Sequence, residues 1–294
     1  MFLNVDTNMV VQRFGSDHTN KKLETVQKYL SAYTTALKKQ NFELIYFDAC
    51  AGSGSSTPKS EVGQAAMLEA DEITVGSAIR ALRVNPAFDR YIFNDLKRAN
   101  IKSLKEIVES DFVGLKNRVT LTQKDANEAL INLCDSVNWR ASRAVVFLDP
   151  FGLQIKFATL ERLAQTKAVD VWYLVPVHAM SRQVKGDGTV LDDGGPSVDD
   201  ALGYSKWREV VQTVEEVESD LFGYSASTTT KAVNAAWFEK CAHEQLSAVF
   251  EGGVLDETLP LGRNGLHEFS LMFAWANPSE RAKLAAKLAK AVLK

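Results

Sequence analysis

The stretch FDACAGSG at residues 47–54 follows the apolar run LIY at residues 44–46, and it decides the fold prediction. The pattern is typical of a buried strand that ends in a carboxylate, Asp48, and leads into a turn in which Gly52 and Gly54 let the backbone approach a ligand. An acid at this position is an unfavourable neighbour for a pyrophosphate, whereas it suits the cationic amino-acid end of S-adenosylmethionine. We therefore predict a site for S-adenosylmethionine rather than for NAD.

A second buried strand is predicted at residues 144–148 (AVVFL), and it ends in the turn DPFG at residues 149–152. Because the carboxyl ends of parallel strands meet at one edge of a sheet, we expect Asp48 and Asp149 to lie close together there. The alternative is an ordinary loop, since Thr57 stands where the dinucleotide fingerprint has its third glycine. The second acidic strand end favours the nucleotide site.

Strands and helices alternate in the predicted core, as in a parallel sheet with crossover helices on both faces. Strands are predicted at residues 44–47, 91–93, 119–122, 144–148 and 169–175, and helices at residues 19–39, 76–84, 98–110, 127–137 and 157–167. Ser16 or Asp17 is available to cap the first helix. Residues 258–261 and 268–275 predict an antiparallel hairpin before a last helix that starts at Ser279. This order predicts an α/β fold of the class I methyltransferase (Rossmann-like) type, with a seven-stranded, mostly parallel sheet.

Three regions are predicted along the chain. Residues 1–40 form an N-terminal helical segment, residues 41–178 and 255–294 form the Rossmann-like methyltransferase domain, and residues 179–254 form a helical insertion. The insertion opens with a polar loop and has helical patterns near residues 206–219 and 230–250. We expect it to select the substrate or a partner, because loops at the carboxyl edge carry specificity in such folds.

The composition is that of an ordinary soluble protein. Hydrophobic residues make up 46% and charged residues 24%, the formal net charge is -3, and no apolar stretch is long enough to span a bilayer. The N-terminus lacks the pattern of a secretory signal, and the widely separated cysteines predict neither disulfides nor a metal site. We therefore expect a cytoplasmic protein with no membrane contact and no metal, whose charge gives no global attraction to nucleic acid.

The predicted cofactor site collects residues from three strand ends. Its members are Asp48, Ala49, Gly52, Ser53, Gly54, Asp95 and Asp125. Asp95 follows the second strand, where a carboxylate can accept hydrogen bonds from both ribose hydroxyls, although a long segment at residues 58–75 separates it from the glycines. Asp125 follows the third strand and could accept from the adenine amino group, while capping of the next helix is an equally good account.

The turn at residues 149–152 is the predicted catalytic site. Methyl transfer to an exocyclic amine needs a polar acceptor that aligns the amine and an aromatic face for the base, and Asp149 and Phe151 supply both. A carboxylate can also stabilise the developing ammonium and take its proton. Pro150 would fix the turn. The alternative is a tight structural turn with Phe151 in the core.

These motifs, taken in order, resemble those of the three-Cys-motif partner protein (TcmP) family, whose members look like class I S-adenosylmethionine-dependent methyltransferases. The resemblance spans nearly the whole chain and rests on short pieces. They are the Lys-rich first helix with Tyr29 and Leu30, residues 48–54, residues 76–78 with Leu82, residues 147–152, residues 170–176 with Arg182, and residues 271–274 with 277–278.

The resemblance implies a partner protein that bears a three-cysteine motif, which Cys50, Cys134 and Cys241 of this chain do not form. The DPFG pattern is also similar to that of the tRNA guanine dimethyltransferases, where this turn faces the guanine amino group. By that analogy the acceptor is a base amine.

Together these observations predict an S-adenosylmethionine-dependent methyltransferase that modifies a nucleobase nitrogen in RNA or DNA. The main alternative is a nucleotide-binding partner or scaffold of a three-Cys-motif protein that performs no transfer. A dehydrogenase is disfavoured by Thr57 and by the terminal hairpin.

Overall fold

A computed structural model describes residues 9–56, 74–217 and 226–293, and within them a mixed sheet carries helices on both faces. The strands are β1 (Glu43–Asp48), β2 (Ser55–Ser56), β3 (Thr74–Val75), β4 (Arg90–Asn94), β5 (Val119–Thr122), β6 (Ser142–Leu148), β7 (Val169–Val175), β8 (Gln212–Val217), β9 (Ala226–Lys231), β10 (Gly253–Val254), β11 (Leu259–Leu261) and β12 (Phe269–Trp275). The helices are α1 (Met9–Leu37), α2 (Ser77–Leu82), α3 (Arg98–Asp111), α4 (Ala126–Ser136), α5 (Phe157–Gln165), α6 (Val177–Ser181), α7 (Gly194–Leu202), α8 (Ala235–Val249) and α9 (Lys283–Leu293). None of the helices in these ranges is long and apolar enough to cross a membrane.

The main sheet has the strand order β5, β4, β1, β6, β7 and β12, and both β10 and β11 pair with β12. The five strands from β5 to β7 are parallel, whereas β12 runs antiparallel to β7. The first strand therefore lies in the middle of the sheet, and the carboxyl ends of β1, β4 and β6 lie side by side.

Alternate residues of the central strands pack on opposite faces of the sheet. In β1, Leu44 and Tyr46 pack with α1, α2, α3 and α9, whereas Ile45 and Phe47 pack with α4, α5, α7 and α8. Burial on both faces is the reason that this strand is a continuous apolar run rather than an alternating one. Each such side chain contributes about 1.5–3 kcal/mol by leaving water, so the central strands and the turns that follow them are firmly anchored.

Most of the predicted elements are confirmed. The strands β1, β4, β5, β6 and β7 contain the predicted segments, and the helices α2, α3, α4 and α5 agree with the prediction to within two residues at each end. The terminal hairpin is confirmed because β11 pairs antiparallel with β12, with Leu259 opposite Leu271. A 3-10 turn at Glu280–Ala282 opens the last helix, close to the predicted start.

Three expectations were wrong in detail. The first helix begins at Met9, so Ser16 and Asp17 lie inside it and cannot cap it. Residues 206–219 are not helical where the structure describes them, because a 3-10 turn at Lys206–Val210 is followed by β8, which pairs antiparallel with β9. The main sheet has eight strands rather than seven, since β10 and β11 share the edge beside β12.

The structure also describes most of the predicted insertion at residues 179–254. Within the insertion, α7 begins at Gly194, inside the predicted polar loop, and α8 lies within the second predicted helix, whose first residues belong to β9. The predicted loop at residues 58–75 lies outside the described residues, apart from β3.

A central parallel sheet with its first strand in the middle and a terminal antiparallel hairpin is the class I methyltransferase-like arrangement, and this fold class is confirmed.

Candidate active site

The two predicted acidic strand ends are neighbours in the structure. β1 and β6 pair in parallel with Asp48 opposite Phe147, so Asp149 lies two residues beyond that pair at the same edge. The carboxylates are close enough that the charge of Asp149 raises the pKa of Asp48. The edge that the sequence predicts for ligand binding therefore carries both acids.

Asp48 is completely buried at the end of β1. Burial is the largest cause that raises its pKa to about 7, a hydrogen bond from the Ser77 side chain lowers it, and the Asp149 charge raises it. Its Oδ1 accepts a hydrogen bond of 3.2 Å from the backbone N–H of Cys50. Near neutral pH this carboxyl is therefore poised between its two protonation states, and a cation placed beside it would favour the ionised form.

The two glycines of the loop play different parts. Both have positive φ, +64° at Gly52 and +85° at Gly54, so both backbone conformations favour glycine. A Cβ at Gly52 would meet no atom within 4 Å, whereas one at Gly54 would lie 2.9 Å from Cδ2 of Leu104 in α3. Gly52 therefore borders open space that a ligand can use, and Gly54 allows α3 to pack closely against the loop.

The rest of the loop contributes mainly backbone atoms. Ala49 is buried, and its N–H donates to the carbonyl of Phe147 at 3.1 Å, which ties the loop to β6. The carbonyl of Ser53 accepts a hydrogen bond of 3.0 Å from Oγ of Ser103 in α3. These contacts fix the shape of the turn around Gly52.

Asp95 holds the loop from the neighbouring strand end. Its Oδ2 accepts a hydrogen bond of 3.0 Å from the N–H of Gly52, and its Oδ1 accepts one of 2.7 Å from the N–H of Lys97. A carboxylate has about four acceptor positions, so Asp95 retains capacity for hydroxyl donors after both of these bonds. The hydrogen bond from Gly52 holds the glycine loop beside Asp95, the predicted ribose acid, despite their separation in sequence.

Asn94, which the sequence reasoning missed, organises the same edge. It is 1% exposed, and its amide Nδ2 donates to the carbonyls of Ala49 and Lys124 at 3.0 and 3.1 Å. Its Oδ1 accepts from Oγ1 of Thr122 and from the N–H of Lys124 at 2.9 and 3.1 Å. One fully satisfied buried amide thus joins the ends of β1, β4 and β5.

The structure places Asp125 at the start of α4 as its N-cap. Its Oδ1 accepts hydrogen bonds from the N–H groups of Asn127 and Glu128, at 2.9 and 3.3 Å, and from the Asn127 side chain. Of the two accounts that the sequence allows for Asp125, capping is the one for which the structure supplies contacts.

The turn after β6 presents an aromatic ring to solvent. The Phe151 side chain is 91% exposed, so the alternative that places this ring in the core is wrong. Pro150 is buried, Gly152 has a φ of +75°, and the N–H of Phe151 donates to Oε1 of Gln154 at 3.2 Å. The exposed phenyl ring leaves a flat face available for stacking.

Beside this turn lies a pocket of about 420 Å³. It is lined by Lys22, Asp149, Pro150, Phe151, Leu174, Leu261, Gly262, Arg263, Glu268 and Phe269. The walls therefore come from α1, from the turn after β6, from β7 and from the terminal hairpin. The hairpin, which distinguishes this fold from a plain dinucleotide fold, forms one side of the candidate acceptor site.

Lys22 is the second functional candidate that sequence reasoning missed. Its Nζ donates to Oδ2 of Asp149 at 2.5 Å, and its side chain is only 11% exposed. A signal was present, because Lys22 lies four residues before Val26 and seven before Tyr29, both of which are on the buried face of α1. A lysine on an apolar helix face needs a partner for its charge, and the partner here is the proposed catalytic acid.

Within the described ranges no group of three or more His, Cys, Asp or Glu side chains is arranged to hold a metal ion. The groups that the structure places at this edge are the carboxylates of Asp48, Asp95 and Asp149, the ammonium of Lys22, the loop amides and the ring of Phe151.

The strand order and the terminal hairpin define a class I methyltransferase-like fold. Several solved structures are similar at low identity. Protein LPL1258 from Legionella pneumophila is 13% identical with a TM-score of 0.49, covering 94% of this chain and 91% of that chain. The candidate methyltransferase yhhF from Escherichia coli is 12% identical with a TM-score of 0.31, covering 69% of this chain and 84% of that chain. A conserved hypothetical protein from Streptococcus pyogenes is 16% identical with a TM-score of 0.30, covering 69% of this chain and 95% of that chain.

The sequence matches no protein-family model and no curated protein sequence. At these TM-scores the neighbours carry no argument about chemistry, so the fold class follows from the strand order of this chain.

Proposed function

We propose that this chain is an S-adenosylmethionine-dependent methyltransferase that modifies a nucleobase nitrogen, an exocyclic amine, in RNA or DNA. The observation that carries the proposal is the meeting of two acids at one sheet edge, where Asp48 adjoins a glycine turn and Asp149 adjoins an exposed phenyl ring. The first half suits a cationic nucleoside and the second suits a flat base.

The donor half of the site fits S-adenosylmethionine, which supplies a methyl group on a positively charged sulfur. Asp48 would face its amino-acid end, because a cation there keeps the buried carboxyl ionised. The open space at Gly52 leaves room for the ligand, and the spare acceptor capacity of Asp95 suits ribose hydroxyls. Leu96 is 64% exposed directly after Asp95 and offers an apolar surface for the adenine ring.

The acceptor half of the site fits a base amine. The carboxylate of Asp149 would accept a hydrogen bond from the amine and orient its lone pair, while the ring of Phe151 stacks on the base. As the amine gains a fourth bond it becomes positively charged, and Asp149 stabilises that charge and can take the proton. Arg263, which lines the pocket wall and pairs with Glu268 at 3.5 Å, would meet a phosphate of the nucleic acid.

The order of motifs that resembles the TcmP family supports a further part of the proposal, that the protein works in the cytoplasm with a partner bearing a three-cysteine motif. The partner would contact the insertion at residues 179–254 or the pocket rim. A pull-down with a tagged full-length chain, followed by identification of both protein and nucleic acid, checks this part separately.

The alternative is a nucleotide-binding partner that performs no transfer. One observation favours it: Lys22 occupies Oδ2 of Asp149, the atom that would receive the acceptor amine. This reading predicts that the chain binds the donor while nucleic acid incubated with it gains no methyl group.

The proposal is tested with the full-length chain in two steps. Calorimetry with S-adenosylmethionine is expected to give micromolar binding, and donor carrying a tritiated methyl group is then incubated with the chain and total RNA or DNA. Label in nucleic acid supports the proposal, and digestion to nucleosides identifies the base. Micromolar binding without label in either nucleic acid supports the scaffold, and the absence of binding at millimolar donor contradicts both.

A further inference from the structure

The amine of Lys22 occupies an unusual position in this molecule. Its Nζ lies 2.5 Å from Oδ2 of Asp149, in the pocket that also contains Phe151, and its side chain is 11% exposed. Lys21 and Lys28, on the same helix, are exposed to solvent. Lys22 is thus held in the interior by a single acid, and that acid is the one assigned to the acceptor amine.

The backbone that carries this amine is firmly fixed. Leu23, Val26 and Tyr29 of α1 are between 0 and 5% exposed and pack in the core against the sheet. Withdrawal of Lys22 from the pocket by movement of α1 would expose this apolar surface, at about 1.5–3 kcal/mol for each side chain. The amine therefore stays beside Asp149 unless its own side chain rotates away.

We propose that Nζ of Lys22 accepts a methyl group from S-adenosylmethionine bound to the same chain. Lys22 would then be a modification site inside the pocket that receives the acceptor amine. The inference rests on the proposed function, because it takes S-adenosylmethionine as the donor and Asp149 as the group that aligns the acceptor. A primary amine held against that carboxylate satisfies the same geometric requirement as the exocyclic amine of a base, and holding it there replaces a bimolecular encounter with an intramolecular one.

The chemical step balances within this site. Nζ of Lys22 first passes a proton to Oδ2 of Asp149, to which it is already hydrogen-bonded. The freed lone pair then forms the N–C bond to the methyl carbon as the C–S bond breaks, and the electron pair of that bond stays on sulfur, which gives S-adenosylhomocysteine. The product is a protonated N-methyl-lysine, and Asp149 returns its proton to solvent.

Methylation would change the contact between Lys22 and Asp149. An unmodified ammonium has three N–H donors, and each methyl group replaces one of them. A fully methylated Lys22 has no N–H to give to Asp149 but keeps its positive charge, so the hydrogen bond to Oδ2 would be lost while the ionic attraction remains.

The first test follows the label on the protein in the absence of nucleic acid. The full-length chain is incubated with donor carrying a deuterated methyl group, and its peptides are analysed by mass spectrometry. We expect labelled methyl on Lys22 and none on Lys21 or Lys28, at a rate independent of protein concentration. Asp149→Asn is expected to slow this labelling about 100-fold, whereas Asp135→Asn, which removes an exposed ion pair with Arg162, leaves it unchanged.

A second test needs no turnover. An acylating reagent that modifies lysine amines is applied with and without S-adenosylhomocysteine, which occupies the donor site but cannot react. We expect bound S-adenosylhomocysteine to slow the acylation of Lys22 several-fold and to leave the acylation of Lys21 unchanged. If acylation of Lys22 is indifferent to saturating S-adenosylhomocysteine, the amine does not adjoin the donor site and the inference is overturned.

The outcomes separate this inference from the proposed function. Methyl transfer to nucleic acid with an unmodified Lys22 overturns the inference alone. Label on Lys22 without label in any nucleic acid supports the inference and overturns the nucleobase assignment. A chain that binds the donor and labels neither is the non-catalytic scaffold, and a chain that does not bind the donor contradicts both ideas.

Discussion

Both ends of the central sheet bury a carboxyl group, and the two groups are alike in burial but not in surroundings. Asp48, at the carboxyl end of β1, and Asp170, at the amino end of β7, are 0 and 8% exposed, and burial raises the pKa of each to about 7. Asp170 accepts a hydrogen bond of 2.8 Å from the hydroxyl of Tyr29, and the charge of Arg143 lowers its pKa. Asp48 also has hydrogen-bond donors, Ser77 and the Cys50 N–H, and a nearby cation, Lys22, but it has in addition a second acid, Asp149, whose charge raises its pKa.

A buried acid with a raised pKa therefore does not by itself mark a functional site. Asp170 has a phenol and a cation for partners, which is what a structural acid needs. Asp48 has a second acid nearby, whose charge is paired with Lys22, and it adjoins a glycine turn that borders open space. The surroundings, rather than the pKa, favour the carboxyl edge as the site of chemistry.

Cavity size and fold geometry favour opposite ends of the sheet. A larger pocket of about 950 Å³ lies at the amino edge between α1 and α9, beside Asp170 and Arg143, whereas the pocket at Phe151 has about 420 Å³. We favour the smaller pocket, because open α/β sheets bind ligands at the carboxyl ends of their strands, where the loops supply free backbone groups.

Asp149→Ala is expected to lower methyl transfer roughly 10³-fold, because it removes the group that aligns the acceptor amine and takes its proton. Donor affinity should change by no more than a few fold. The measurement is tritium incorporation into nucleic acid together with calorimetry. Asp170→Asn is the matched change at the amino edge and should leave the transfer rate unaltered, so equal losses in the two variants would abolish the distinction between the two ends.

The second prediction concerns the pH dependence of stability. In the unfolded chain an Asp titrates near 3.9, whereas burial raises the folded-state pKa of Asp48 and of Asp170 to about 7. The stability that each protonated carboxyl contributes is therefore complete below about pH 4 and is lost as the pH rises to about 7. Relative to the wild type, Asp48→Asn and Asp170→Asn should each gain up to roughly 4 kcal/mol between these pH values, as measured by urea unfolding.

Donor binding distinguishes the two variants where stability does not. A cation beside Asp48 favours its ionised form, so binding of S-adenosylmethionine should release protons near pH 7 and tighten by up to about ten-fold per pH unit as the pH rises from 6 to 7. Asp48→Asn should remove this dependence, and Asp170→Asn should preserve it. Calorimetry in buffers of different ionisation enthalpy counts the protons, and a dependence that survives in Asp48→Asn would place the titrating group elsewhere.

The tyrosines that face the two acids differ in their distance from the carboxylate oxygens. The hydroxyl of Tyr29 lies 2.8 Å from Asp170, whereas that of Tyr46 lies 3.5 Å from Asp48, beyond good hydrogen-bond length. Tyr29→Phe should lower the free energy of unfolding by about 1.5–3 kcal/mol, because a buried acid loses its donor. Tyr46→Phe should cost about 0.5 kcal/mol or less. Similar losses in urea unfolding would contradict the view that only Asp170 is held by its phenol.

Much of the carboxyl edge could be predicted from the sequence because its evidence is local. Continuous apolar runs that end in an acid and a turn identify buried parallel strands, and the geometry of a parallel sheet then places Asp48 and Asp149 together without any knowledge of the side chains between them. The backbone at position 52 has a positive φ, which favours glycine, and the glycine is visible in the sequence.

The contacts that the sequence did not reveal are long-range ones. The ion pair between Lys22 and Asp149 joins positions 127 residues apart, and the contact between Tyr29 and Asp170 spans 141. The strand β8 was mistaken for helix because short mixed segments with valines fit either period, and only its pairing with β9 settles the matter. Periodicity identifies which side of a helix is buried, but it does not identify the group that the helix meets.

The smallest effect is expected from the exposed apolar residue at each pocket. Phe151 is 91% exposed and Leu284, which lines the amino-edge pocket, is 44% exposed, so replacing either with alanine should change the free energy of unfolding by less than about 0.5 kcal/mol. Phe151→Ala should nevertheless raise KM for the nucleic acid about ten-fold, since stacking of a base on an aromatic ring contributes roughly 1–3 kcal/mol. Leu284→Ala should leave KM unchanged. If instead Leu284→Ala weakens substrate binding and Phe151→Ala does not, the acceptor enters at the amino edge, and the site belongs beside Asp170.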